Sequence, residues 1–555
     1  MKSTSAAITL VLGFAALTAC NGGPTEGPVL PPTNVACSNP GIATLAVGQG
    51  VVVDPSATGN CIQIPASGGG TTKHLVVTVA SNGSVTQNGV SSTWSVTAGE
   101  VPAAAAAAAP IAEPYVGGFG PHTSADQFHA RLRQMDHDLS AGLGTRLLAA
   151  APPVNRVITP PTVGSQRNFW VCSSASCSGF VNVTATAAYV GPKVAIYSDN
   201  NSPAGGFTQS DIDNVGALFE HPTYGLHLID TTAFGSESDE DSNGVVIVLL
   251  TPRVNRLSTD CSTSVIAGFF LSLDLVSDPH SNNGEVFYSM VPDPQNPNCA
   301  ISKQFASDLL PVTFIHEFQH MISFNQHALI RGGFSEETWL NEGLSHFAEE
   351  LGGRLIDNSE CVNNNCFGQY TGDNFNDAFT YLNNPEATFL IEPNSSGGTL
   401  AERGANWLFV RWFLDQFAVD TVLGTDVTRA LETTTDVGFV NVANRSGVDF
   451  PTLVTQWQLA NYLEGDTTFV QNAATARFRY KTWDLRRIFT INPFPKPYPL
   501  TPPLVGTSIV HNGTLRGGSG YHMLVQRLAS DTAFNYKISV SSATVAPRIG
   551  IVRIK

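Results

Sequence analysis

Residues 312 to 324 read Val-Thr-Phe-Ile-His316-Glu317-Phe-Gln-His320-Met-Ile-Ser-Phe. Two histidines four apart on a helix stand one turn above the other on the same face, so both imidazoles can reach one metal ion. Glu317 follows about 100° further round the helix, beside that face, where a carboxylate can take a proton from metal-activated water. Leu310, Phe314, Phe318 and Met321 or Ile322 form a separate apolar stripe that buries the helix. A catalytic zinc needs three protein ligands and an open position, so a third ligand must come from another element.

That ligand does not follow in line. The pattern H-E-x-x-H-x-x-G-x-x-H is broken by Ser323 at the glycine and Gln326 at the last histidine, which excludes the metzincin arrangement. Further on, Ser335 is expected to cap a helix with Glu336 and Glu337 in its first turn, where carboxylates suit the helix dipole. The helix continues Thr-Trp-Leu340-Asn341-Glu342-Gly343-Leu344-Ser-His346-Phe-Ala-Glu349. Leu340, Leu344, Phe347 and Leu351 make its core stripe, and Glu342, His346 and Glu349 share the opposite face. A turn in the 330s with Gly332 and Gly333 lets the two helices bring Glu342 to the histidine pair, with His346 and Glu349 as the other ligand candidates.

Here the chain resembles the gluzincin metallopeptidases, in which H-E-x-x-H is followed by a helix carrying Asn-Glu; W-L-N-E-G recurs in their aminopeptidase N-like branch. The gap from His320 to Glu342 has 21 intervening residues, and no G-x-M-E-N of the aminopeptidases precedes it, which favours an endopeptidase. Taken with Arg403-G-A-N-W-L-F-V-R-W-F and Phe450-P-T-L-V-T-Q-Trp457-Q-L-A-N-Tyr462-L, the set resembles the hyicolysin family of bacterial secreted neutral metallopeptidases, across roughly residues 165 to 490 and most strongly at 311 to 352. The resemblance implies zinc-dependent hydrolysis of peptide bonds, with His316, His320 and Glu342 holding one Zn2+ and Glu317 as general base. It also implies a Tyr or His that supports the oxyanion, for which Tyr370, Tyr381 and His346 are candidates. The chain departs from thermolysin-like enzymes four residues after the ligand Glu, where His346 replaces an Asp that orients a ligand histidine. That orienting contact must come from elsewhere, and Glu349 is placed for it.

The elements around this unit divide the 555 residues as an α+β multidomain chain. Residues 1–20 read as a lipoprotein signal peptide: an apolar stretch ends in Leu17-Thr18-Ala19-Cys20, a lipobox in which Cys20 would be acylated. Residues 21–34 would be a tether, and 35–98, with short alternating runs between Gly, Asn and Ser turns, a β-sandwich module. An Ala/Pro/Gly linker at 99–121 leads to a helix and connecting segment at 122–164, in which Phe128, Leu132, Met135 and Leu139 have helical spacing. The catalytic region would be 165–492, followed by a Pro-rich connector at 493–503 and a β-rich C-terminal domain at 504–555. Within the catalytic region Ser210 is expected to cap a helix with Asp213. Asp239-Glu-Asp241-Ser-Asn243-Gly244 begins like a calcium loop but has Leu250 where a bidentate Glu belongs, so an acidic turn is the favoured reading and Ca2+ the other.

Setting Cys20 aside leaves eight cysteines. Sequence neighbours suggest Cys37 with Cys61, Cys172 with Cys177, Cys261 with Cys299 and Cys361 with Cys366, although eight cysteines allow roughly a hundred pairings. Such bridges need an oxidising compartment, and no C-x2-C is present to suggest a cysteine zinc site. Lys+Arg 29 against Asp+Glu 45 gives −16 with no basic run, which argues against nucleic acid and against a polybasic membrane patch. Charged residues are only 13%, about half the usual share, so the surface is neutral and polar, as in many exported proteins. The reading is an extracytoplasmic, monomeric peptidase of proteins or peptides, attached to a bacterial membrane by lipid only. Its rival is a non-catalytic surface lipoprotein that binds polymers through its β-modules and has a structural metal, a role for which Glu317 would be superfluous.

Overall fold

The computed structural model describes residues 33–555 except 67, 102–122, 147–159, 259–260, 262–263, 395, 467–468, 470–474 and 491–495. Cys20, the signal peptide and nearly all of the tether and linker therefore lie outside the described residues. Chain order begins with β1 (Thr33–Asn34), β2 (Gly41–Ile42), β3 (Gly50–Val53), β4 (Cys61–Ile64), β5 (Thr72–Ala80), β6 (Ser91–Ala98) and β7 (Glu100–Val101), then helix α1 (Ser124–Arg146). Next come β8 (Gln166–Cys172), β9 (Phe180–Val190), β10 (Val194–Asp199), α2 (Gln209–Phe219), α3 (Leu226–Ala233), β11 (Val246–Leu250), β12 (Gly268–Phe270) and β13 (Val286–Ser289). The helical part comprises α4 (Lys303–Phe324), α5 (Thr338–Leu355), α6 (Cys366–Asn383), α7 (Leu400–Phe417), α8 (Thr425–Glu432), α9 (Gly438–Ser446) and α10 (Phe450–Leu463). The chain closes with β14 (Leu504–Val505), β15 (Ile509–Arg516), β16 (Gly520–Arg527), β17 (Phe534–Val540) and β18 (Pro547–Arg553).

Residues 35–98 do not make a sandwich by themselves, and 504–555 is not a separate domain. The two ends of the chain interleave in two five-stranded sheets, ordered β14-β16-β5-β18-β3 and β15-β6-β17-β4-β2. Each end supplies strands that lack neighbours until the other arrives: β5 lies between β16 and β18, and β6 between β15 and β17. The run Leu75-Val-Val-Thr-Val79 is apolar on both faces because both are covered. Val76 and Ala80 join the core between the sheets, while Leu75, Val77 and Val79 join the core under the helices. β18 repeats this, with Ile549 and Ile551 inside the sandwich and Val552 and Ile554 facing the helical side. Gly550 permits the approach: a Cβ there would stand 3.0 Å from the side chains of Leu459 and Thr455 on α10.

The third sheet is mixed, ordered β12-β13-β11-β10-β9-β8, with β10, β11 and β13 parallel and the other pairings antiparallel. All five residues of β11 are buried, as expected for a central strand covered on both faces. α2 is capped by Thr208, which forms a reciprocal capping box with Asp211, not by Ser210 with Asp213. The two registers lie two residues apart in a segment rich in cap residues, and the one that closes both hydrogen bonds prevails. Ser335 likewise does not cap α5. The helix starts at Thr338 without a side-chain cap, and Glu336 turns inward to accept hydrogen bonds from Gly438 N–H (2.5 Å) and Asn441 Nδ2 (2.9 Å). The four neighbouring cysteine pairs all form disulfides. No helix among the described residues is long and apolar enough to cross a membrane.

Candidate metal centre

α4 begins at a Ser302 cap and runs beneath the edge strand β12 of the mixed sheet. A wide turn of π-helix (Asn325–Leu329) and the Gly332-Gly333 loop then return the chain to α5, which packs along α4. α5 is held from behind. Glu350, fully buried, accepts hydrogen bonds from Trp407 Nε1 (3.0 Å), Arg411 Nη1 (3.1 Å), Trp483 Nε1 (3.0 Å) and Arg354 Nε (2.9 Å). Gly343 lets α7 come close, because a Cβ there would lie 2.8 Å from Asn406 O and 2.7 Å from a methyl of Val410. The W-L-N-E-G run and the Arg403 helix are thus two sides of one helix contact.

On the facing side of α5, Glu342 meets both histidines of α4. Its Oε2 is 3.4 Å from His316 Nε2 and its Oε1 is 3.6 Å from His320 Nε2. Neither separation is a good hydrogen bond, and both carboxylate oxygens are buried without a hydrogen-bond partner. The remaining ring nitrogens are engaged elsewhere. His316 Nδ1–H donates to Glu349 Oε1 (2.7 Å), and His320 Nδ1 is 3.1 Å from Asn341 Oδ1 and 3.0 Å from Ser345 Oγ. These contacts fix the tautomers so that both Nε2 atoms face Glu342. Two imidazole nitrogens and one carboxylate oxygen, within 4.8 Å of one another, are a donor set that suits zinc. The unpartnered Glu342 oxygens are buried charge awaiting a cation, so the residues present fit the ion.

The electrostatics agree. Burial alone would lower His316, but the carboxylates of Glu342 and Glu349 beside it raise it to about 10. Burial would raise Glu342, yet His320 and Arg403 hold it well below the usual carboxylate range. His320 moves the other way, pushed down by burial and by Arg133. Glu349 is buried too, but His346 and His316 hold it at about 2. Burial raises Glu317, whose Oε2 accepts the N–H of Phe270 from β12 (3.0 Å). That bond ties the carboxylate to the edge strand.

Of the three oxyanion candidates, only His346 lies here. Its ring centroid is 4.9 Å from that of His316, its Nδ1 is 3.3 Å from Glu349 Oε2, and its Nε2 is buried without a partner. Tyr370 packs against Gly352 behind α5, and Tyr381 stacks on Trp457 and accepts from Gln458 Nε2 (3.1 Å) at the seam with the sandwich. The family resemblance marked both as candidates; both are buried, Tyr370 with its Oη unpartnered. Sequence reasoning missed Asn341 and Ser345 as partners of His320; the helical spacing of Ser345 from Glu342 was the available signal. At the acidic turn Asp239 Oδ1 accepts Gly244 N–H (3.1 Å) and Asp241 takes Asn243 Nδ2 (2.9 Å). Asp239, Asp241 and Glu285 bring oxygens together there, with Arg167 3.4 Å from Asp241.

No known protein-family profile matches the chain. Over 150 residues it is 31% identical to the neutral metalloprotease ShpI of Staphylococcus hyicus. The match spans 26% of this chain and 31% of that protein's length. It is a likeness to a metalloprotease, in accord with a His/Glu centre on α4 and α5.

Proposed function

We propose that this chain is a zinc-dependent endopeptidase, with His316, His320 and Glu342 as the metal ligands and Glu317 as the general base. The observation that carries the reading is the pair of buried, unpartnered Glu342 oxygens facing two Nε2 atoms, with Glu317 fixed beside them by the edge strand. A zinc ion held there would supply Lewis acidity toward a water molecule and a peptide carbonyl. Glu317 would accept the proton of the attacking water and deliver it to the leaving nitrogen, its Oε2 kept in place by Phe270 N–H. Glu349 would keep the His316 ring in line and raise its basicity as a ligand. His346 Nε2, buried and free, is the group placed to donate to the carbonyl oxygen as negative charge develops.

Similarity to a metalloprotease supports the reaction class, and four disulfides support an oxidising, extracytoplasmic location. The lipobox supports membrane attachment through Cys20, which requires that Cys20→Ser release the protein from the membrane fraction. The deciding test is Glu317→Gln. Gln keeps the shape and the bond to Phe270 but cannot take the proton. Casein cleavage is expected to fall by about 10²- to 10⁴-fold in kcat while bound zinc and the circular dichroism spectrum stay unchanged. Wild-type cleavage by the Gln variant would remove the mechanism. Zinc bound by both forms with cleavage by neither would favour a polymer-binding lipoprotein.

A further inference from the structure

α1 closes with a reciprocal box at its N-terminus, Thr123 N–H to Asp126 Oδ2 (2.8 Å) and Asp126 N–H to Thr123 Oγ1 (3.2 Å). Sequence reasoning left this helix as part of a connecting segment. The structure lays it across the metal centre instead. Its apolar stripe docks on the edge strand, with the ring of Phe128 5.0 Å from Phe269, and Phe128 and Leu132 are buried. Its polar face, Asp126, His129, Arg133, Asp136 and Ser140, is spaced by threes and fours and turns toward the site. Asp136 lies beside Ser272 just beyond β12, and Ser140 Oγ accepts Ser335 N–H (2.9 Å) at the entrance to α5. On the far side, the loop at Gly397 runs against the backbone of α1: a Cβ there would stand 2.4 Å from Ala130 N and 2.7 Å from Asp126 O.

Between these two walls the centre is sealed. With α1 in place no residue among His316, Glu317, His320, Glu342 and His346 is more than 7% exposed. His129 is close enough to Glu342 and His316, and Arg133 to Glu317 and His320, to act on them electrostatically. A peptide to be cut must lie extended, with a carbonyl free to meet the metal. The backbone carbonyls of a helix are occupied by their own hydrogen bonds, so α1 fills the groove without being a substrate. Its hold is imperfect. The three guanidinium nitrogens of Arg133 are buried without a hydrogen bond among the described residues, with only Asp136 in ion-pair range (3.3 Å). An element that buries donors with their hydrogen bonds unmade is docked less firmly than its apolar contacts alone would make it.

We propose that α1 is a built-in plug of the substrate groove, which keeps the metal centre latent until the helix leaves. The inference rests on the peptidase reading for what the groove accepts, but not for the occlusion itself.

Two variants release α1 by different routes. Gly397→Ala drives a methyl into the helix backbone from the opposite wall and leaves α1 unaltered, while Phe128→Asp with Leu132→Asp removes its apolar seat. Each is compared with the wild-type zinc-loaded full chain by hydrogen exchange over residues 124–146, by the rate at which a soluble chelator strips zinc, and by cleavage of an unfolded protein. The expected result is loss of protection in α1, zinc stripping at least tenfold faster, cleavage raised by a similar factor and, in the variant with Phe128→Asp and Leu132→Asp, reversal of both when a synthetic peptide of residues 124–146 is added. Stripping at the wild-type rate with α1 released overturns the proposal. So does an α1 that stays protected in both variants, because it would then be an integral part of the fold. Faster stripping with no cleavage in any form keeps the plug and removes the peptidase reading.

Discussion

The metal centre and the β-sandwich are opposite solutions to placing residues. Every side chain of the centre comes from residues 316–349, two helices and one turn, whereas the sandwich pairs Leu75 with Leu524 and Ile551 with Val76 across nearly the whole chain. Both regions bury polar atoms without hydrogen-bond partners, Thr72 Oγ1 and His74 Nδ1 of β5 among them, but the centre gathers its own on side chains that can hold a metal. In the sandwich Tyr536 Oη and Thr78 Oγ1 are within 3.0 Å and satisfy each other between the sheets. At the centre both oxygens of Glu342 and the Nε2 of His346 are left without partners. A buried charge without a partner costs stability and is kept where something else is to bind. The sandwich and the Glu350 cluster supply the rigidity that allows the centre to remain unsatisfied.

The sharpest way to break this contrast is at Glu342. Glu342→Ala removes the unpartnered carboxylate, and zinc content measured on purified protein is expected to fall to background along with activity. Zinc retained at the wild-type level in this variant would move the ligand assignment to His346 or Glu349. The reciprocal change is Ile551→Ala in β18, fully buried between the sheets. It is expected to cost about 2–5 kcal/mol in denaturant unfolding, with zinc affinity unchanged. If zinc binding weakened in step, the two regions would be one cooperative site.

The smallest effect tests the seam. Burial pushes His522 of β16 down to about 4, and its Nε2–H donates to Gln458 O on α10 (2.8 Å). The folded state therefore holds this ring neutral, while the unfolded chain takes up a proton near its ordinary value of 6.5. The stability it contributes is complete above pH 6.5 and is lost as pH falls toward 4. His522→Gln keeps a donor to Gln458 and cannot titrate, so its unfolding free energy should fall less steeply than wild type between pH 6.5 and 4. Equal slopes would mean that His522 titrates alike in both states.

Where residues act within a few helical turns of one another, the amino-acid sequence determined the outcome. The i, i+4 spacing put His316 and His320 on one face whatever surrounds them, the face of α5 that holds Glu342 also holds Glu349, and cysteines that are neighbours in sequence are neighbours in space, since short separations leave the chain few alternatives. The caps of α2 and α5 were less legible, because several Ser, Thr and acidic residues compete within a few positions and tertiary partners such as Asn441 choose among them. Strand alternation showed that residues 72–80 and 547–553 have two faces but not what covers them, because a period of two specifies sides and not neighbours. Only the tertiary structure joined the chain's two ends into one sandwich, packed Tyr370 against Gly352 and Tyr381 on Trp457, and set α1 across the metal centre. Those placements depend on the complementarity of surfaces far apart in sequence, which no local periodicity records.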